Sequence, residues 1–241
     1  MHKIENHLMG TPFYKDQDQF YVSVDCIILG FKDGKLYVLI SRRKFEPLKD
    51  HATLMGGFLR KEEGLSETVA RVVFEYTGIN NVYMEQVGTY GDIHRDSGER
   101  VVSIAFYALV DLGLVNEELC KVHNVRWEEA NKVEQLIFDH NQMLNDTFEI
   151  LRKKAVTQPL GFNLLPEKFT LPQLQSLYEA IYQTELDKRN FRKKILEMGI
   201  LEKQEDKDKS SSKRGAFYYK FDKNKYDQLL QKGYFIPFNK I

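Results

Sequence analysis

Cysteine is scarce in this chain. Two thiols, Cys26 and Cys120, among 241 residues cannot staple a protein of this size. It must therefore build a hydrophobic core, and it is expected in a reducing compartment, the cytoplasm. Long apolar runs are lacking too. No stretch approaches the ~20 residues that span a bilayer, and residues 1–20 (MHKIENHLMGTPFYKDQDQF) have no apolar signal core, so no membrane partner is expected. Net charge is missing altogether: 35 Lys+Arg stand against 35 Asp+Glu. That excludes a globally basic nucleic-acid binder and an acidic disordered tail. The balance conceals an asymmetry, however. Residues 154–241 hold 17 Lys+Arg and 11 Asp+Glu, which leaves 18 and 24 for residues 1–153. An acidic front and a basic rear point to two domains with different partners.

The front reads as a mixed sheet with helices. Residues 20–29 (FYVSVDCIIL) and 36–41 (LYVLIS) are strand-like, and Lys32-Asp33-Gly34-Lys35 between them carries the Asp-Gly chemistry of a tight hairpin. Leu65 to Tyr76 reads as a helix stopped by Gly78. Residues 82–90 and 100–112 read as strands joined by the polar loop Gly91–Glu99. Leu144, Phe148 and Leu151 form a helical stripe within 138–154, with Asp139 as a plausible N-cap. Residues 157–169 (TQPLGFNLLPEKF) hold two prolines and a glycine without periodicity and read as a linker. The chain thus divides into 1–156, the linker 157–169, and 170–241. The tract 202–214 (EKQEDKDKSSSKR) is polar enough to be a mobile loop.

Chemistry concentrates after Gly57. Gly57, Glu63, Arg71, Val73, Glu75, Gly78 and Ile79 stand in the register of a Nudix box: G, five residues, E, seven residues, then R-E-U-x-E-E-x-G-U, with U a bulky aliphatic. The segment resembles that box, and the resemblance implies a loop–helix–loop whose carboxylates at i, i+3 and i+4 share one helix face and hold Mg²⁺ on a diphosphate. Here the set is broken. Val72 and Tyr76 replace two of the three carboxylates, and only Glu75 remains. A phenol with a pKa near 10 is a poor magnesium ligand at neutral pH. No catalytic residue, metal site or cofactor is therefore expected, although Glu62, Glu63 and Glu67 lie close by. Ala52-Thr53-Leu54-Met55-Gly56-Gly57 stands where Nudix proteins often carry W-x-L-P-G-G. Candidate effector-binding residues are Arg42 and Lys44 at a strand end, Gly56, Gly57, Phe58 and Glu75 around the box, and Tyr90, Asp92 and His94 in and beside the polar loop. A small polyol would want paired donors and acceptors, with Tyr90 or Phe58 beneath it.

The rear begins with a helix start: Thr170 as cap, Pro172 early, and Gln173 completing a capping box. Leu174, Leu177, Tyr178 and Ile181 make one apolar face. A second helix follows, capped by Asp187, with Phe191, Ile195 and Met198 inside and Gly199 at its end. Its outer face carries Lys188, Arg189, Asn190, Arg192 and Lys193. Residues 200–203 and 216–221 alternate like a hairpin whose tip holds Lys207, Lys209, Lys213 and Arg214. Helix, turn, basic helix and basic hairpin form a winged helix-turn-helix that could enter the major groove and track phosphates.

The whole chain resembles the Nudix-related transcriptional regulators. This resemblance rests on Gly56-Gly57-Phe58, the Gly91-Asp92 and Arg95-Asp96 loop, residues 166–171 (PEKFTL) and residues 186–194 (LDKRNFRKK). It implies an α+β protein: a Nudix fold followed by a winged helix, homodimeric on double-stranded operator DNA and controlled by a small-molecule effector. That effector is a sugar, with L-arabinose as in the arabinose-responsive branch of gut bacteria, or alternatively ADP-ribose. Two other readings stay open: an active Nudix hydrolase of ADP-ribose or a related nucleoside diphosphate derivative, and an RNA- or protein-binding adaptor.

Overall fold

In the computed structural model, residues 15–209 and 215–232 are described. β1 (Tyr21–Lys32) is buried along its centre, and its alternate residues serve two cores. Ile27 and Leu29 face one apolar cluster; Val24, Cys26 and Ile28 face the other. This follows from the two-residue period of a strand covered on both faces. The hairpin to β2 (Lys35–Arg42) closes with Lys32 opposite Lys35. Asp33 and Gly34 both take positive φ, 49° and 76°, as a two-residue primed turn requires.

β3 (Ala52–Thr53) pairs with β2, and β4 (Met55–Phe58) pairs with β1. Helix α1 (Leu65–Thr77) covers one face of the sheet and ends at Gly78, whose φ of 73° is the left-handed cap predicted. β5 (Tyr83–Tyr90) and β6 (Val101–Val110) complete the main sheet, with β6 parallel to β1 and antiparallel to β5. A short helix, α2 (Glu117–His123), and β7 (Val125–Glu129), paired with β2, follow. Neither was anticipated. Helix α3 (His140–Ala155) covers the other face of the sheet through Met143, Leu144 and Leu151.

In the rear half the capping box is present: Gln173 N–H donates to Thr170 Oγ1 at 3.3 Å, and Thr170 N–H donates to Gln173 Oε1 at 2.8 Å. It opens α4 (Leu171–Tyr182). α5 (Lys188–Glu197) starts at Asp187, whose carboxylate accepts from Asn190 N–H at 2.7 Å. β8 (Phe169–Thr170), β9 (Leu201–Asp208) and β10 (Ala216–Phe221) form the sheet of the wing, ordered β8-β10-β9. α6 (Lys223–Gln231), capped by Asp222, was not foreseen.

One local expectation needs correction. Residues 202–208, read as mobile because they are polar, lie in β9. An edge strand with both faces wet has no need of apolar alternation, because its backbone bonds to β10 hold it. The stretch 157–169, read as a linker, is packed. It contains a 3₁₀ turn (Leu160–Leu164), and Leu164, Leu165 and Phe169 are buried in the cluster that continues from the main sheet into α4 and α5. The two halves therefore share one apolar core.

Candidate functional site

The sheet ends and the adjoining loops enclose a pocket between β1, β2, β4 and the start of α3. Its floor is built by close backbone approach. β4 runs beside β1 with Gly56 opposite Asp25 and Gly57 opposite Val24. A Cβ on Gly56 would come within 2.6 Å of Asp25 Oδ1, and one on Gly57 within 3.1 Å of a Val72 methyl. The glycine pair thus leaves room for a carboxylate in an otherwise apolar strand.

Asp25 is buried, and its Oδ2 accepts from Ser103 Oγ at 2.6 Å. Arg95, only 8 % exposed, reaches in from the polar loop. Its Nε and Nη2 donate side-on to the Asp139 carboxylate at 2.9 and 2.7 Å, and Nη2 lies 3.4 Å from Asp25. Side-on pairing of this kind fixes orientation as well as charge. His140 completes the floor. Leu54 N–H donates to its Nδ1 at 3.2 Å, so the proton sits on Nε2, which faces Asp25 Oδ1 at 3.5 Å. Burial holds this imidazole below its ordinary pKa, against the opposing pull of Asp25. Asp139, expected as a helix cap through its side chain, spends its carboxylate on Arg95 instead.

The mouth is cationic and aromatic. Arg42 donates to the Asp50 carbonyl. The Arg43 guanidinium lies 4.3 Å from the Phe45 ring centroid and 5.2 Å from that of Phe138. Lys44 and the half-exposed Phe58 line the same opening.

The nine candidate effector residues separate into three groups. Arg42, Lys44, Gly56, Gly57 and Phe58 converge on this pocket. Tyr90, Asp92 and His94 line a second one that shares Arg95 and Phe138 with the first. Glu75 lines neither and is exposed on α1. The two volumes are about 190 and 540 Å³. The first falls below the ~300–1,000 Å³ usual for small-molecule sites, and the second falls within that range. Tyr90 is also braced, donating to Asp146 Oδ2 on α3 at 2.7 Å. Asp25, Asp139 and His140 were missed as site residues. The one signal for Asp25 was a carboxylate interrupting an apolar strand.

The box keeps its frame and lacks two of its three carboxylates. Arg71 donates to both Glu63 oxygens, at 2.8 and 2.9 Å, and to the Phe58 carbonyl, which pins the loop to α1. The hydrogen bonds from Arg71 hold the Glu63 carboxyl below the usual carboxylate range. Val72 is 1 % exposed and packs in the core, and Tyr76 sits edge-on against His123. This donor set does not fit a magnesium ion: Val72 offers no donor atom, and a neutral phenol is a poor one. Among the described residues no three His, Cys, Asp or Glu side chains converge on a point where an ion could be held.

On the rear half, Lys188, Arg189, Asn190, Arg192 and Lys193 all lie exposed on α5, while Phe191 and Ile195 are buried beneath them. Lys213 and Arg214 lie outside the described residues.

Residues 19–147 match the NUDIX domain, and residues 161–221 match the NrtR DNA-binding winged helix domain. The chain is 33% identical over 211 residues to the ADPR responsive transcriptional repressor NtrR of Acinetobacter baylyi, covering 86% of this chain and 84% of that protein. It is 33% identical over 128 residues to an ADP-ribose pyrophosphatase of Methanocaldococcus jannaschii, covering 52% of this chain and 71% of that one. Its fold is similar to that of Shewanella oneidensis NrtR crystallised with a 27mer DNA, with a TM-score of 0.78 and 27% identity over 86% of this chain and 95% of that chain. The chain belongs to the Nudix-related transcriptional regulators of the NrtR kind, in which a NUDIX domain is joined to an NrtR winged helix.

Proposed function

We propose that this chain is a ligand-responsive, DNA-binding transcriptional repressor, homodimeric and cytoplasmic, whose NUDIX domain senses its ligand without hydrolysing it. Residues 1–156 bind the effector, 170–241 read DNA, and 157–169 form the packed connector between them. One observation carries this reading: a pocket beside a box that lacks two of its three carboxylates shares a core with a two-helix unit whose outer face is a row of exposed cations.

The effector best suited to the pocket is ADP-ribose. Arg42, Arg43 and Lys44 suit a diphosphate, and Phe45, Phe58 and Phe138 suit a purine face. Similarity to an ADPR responsive repressor supports the same choice. A neutral sugar such as L-arabinose, with control of sugar catabolism, is the second reading. It is supported by the hydrogen-bonding floor of Asp25, Ser103 and His140 and by the loss of a metal to anchor phosphate.

Thermal unfolding of the full chain with ADP-ribose or L-arabinose, each with Mg²⁺ and with chelator, separates these readings, because a ligand of the native state raises apparent stability. A rise with ADP-ribose that survives chelation is expected. A rise with L-arabinose alone would replace the effector, and magnesium-dependent turnover of ADP-ribose would overturn the non-catalytic reading.

A further inference from the structure

The wing contains a feature that the basic tip alone does not explain. Lys207 pairs with Phe217, and Lys203 pairs with Tyr219. Between these pairs β9 carries Gln204, Glu205 and Asp206 opposite Tyr218 alone. Such a bulge re-aims the side chains that flank it. Here it brings two ammonium groups over one ring: Lys203 Nζ lies 3.7 Å and Lys207 Nζ 4.2 Å from the Phe217 centroid.

Two other cations on or beside the wing strands are neutralised within the fold. Lys168 pairs with Asp206 and Lys220 pairs with Glu167. Among the described residues, neither Lys203 nor Lys207 forms an ion pair, and both are exposed. An aromatic face holds an ammonium by its quadrupole while leaving N–H donors free. Two like charges gathered on one ring repel each other, and an anion accepting from both relieves the repulsion. The exposed Glu202 and Glu205 on the same strand weaken any long-range field, so the pair is suited to contact more than to steering.

We infer that Lys203, Phe217 and Lys207 form a clamp for a backbone phosphate of duplex DNA, with Phe217 as the positioning residue. This rests on the DNA-binding reading above and adds a contact apart from α5, on the strands of the wing, where Lys207, read from sequence as part of the tip, lies in β9.

The test is the salt dependence of binding between the full chain and a labelled mixed-sequence duplex, since each phosphate contact contributes about 0.9 to the slope of log K against log[salt]. Lys203→Met combined with Lys207→Met is expected to lower the slope by about 1 and weaken binding. Phe217→Leu keeps both charges and is expected to weaken binding, and Phe217→Tyr to restore it. Thermal melts check that each variant folds. If Phe217→Leu unfolds, the double lysine variant decides. An unchanged slope in that variant, with the unmodified chain still binding DNA, overturns the clamp alone. Absence of duplex binding by the unmodified chain overturns the DNA-binding reading together with the clamp.

Discussion

At the scale of single residues, the pocket is defined by substitutions that close one chemistry and leave another open. Val72 is the clearest. It stands where the box calls for a carboxylate, and it is buried against Gly57 within the cluster formed by Val69 and Val73. Restoring the family residue should therefore harm the protein. Val72→Glu places an ionisable group in an apolar core and is expected to cost about 3 kcal/mol or more, measured by denaturant unfolding, with no gain of magnesium-dependent hydrolysis. A stable, hydrolytic Val72→Glu protein would show that α1 still presents this position to the pocket.

His140 gives a second handle. Burial keeps it neutral below its ordinary value of 6.5, so the unfolded chain takes up a proton that the folded chain refuses. Stability from this group is complete above that value and declines as pH falls toward the folded one. The unfolding midpoint is expected to drop as pH falls below the ordinary imidazole value of about 6.5. His140→Asn, which keeps an acceptor for Leu54 N–H, is expected to flatten that drop.

At the scale of elements, legibility followed the strength of the local signal. Helix α4 was readable because Thr170, Pro172 and Gln173 each specify a helix start, and all three act as such. The first hairpin was readable because Asp33 and Gly34 tolerate positive φ. The strand β9 was not, since a polar edge strand has the composition of a loop and is defined by its partner. Asp139 stands at the N-cap of α3 as the sequence indicates, but its carboxylate makes no capping bond, because the fold brings Arg95 to claim it. Helix α6 carried a weak signal, Asp222 followed by Tyr226, Leu229 and Leu230, that a close reading would have caught.

The exposed face of α5 makes its own prediction. Arg189→Ala with Arg192→Ala leaves the buried Phe191 and Ile195 in place, so the fold is expected to hold while duplex affinity in a fluorescence anisotropy titration falls tenfold or more, at about 1–3 kcal/mol per lost base contact. Unchanged affinity would remove α5 as the reading helix.

At the scale of the whole molecule, the neutral net charge hid two surfaces of opposite character, and the shared core now gives them a physical relation. α3 begins at the pocket with Asp139 and His140, and it ends where Ala155 and Leu164 pack toward α4. Sequence pattern could expose the two halves, because each carries its own period and caps. It could not expose the pocket floor, since Asp25, Arg95, Asp139 and His140 are scattered along the chain and meet only through pairing of β1 with β4 and docking of α3. A ligand that favours one arrangement of this joined core must change DNA affinity, and DNA must change ligand affinity by the same factor.

The most direct measurement is anisotropy of a duplex that the full chain selects from a random-sequence pool, titrated with ADP-ribose in the presence of chelator. The account predicts a change in DNA affinity in the range of ~5–150-fold with ADP-ribose intact at the end. An affinity untouched by saturating ADP-ribose and by L-arabinose alike would contradict it.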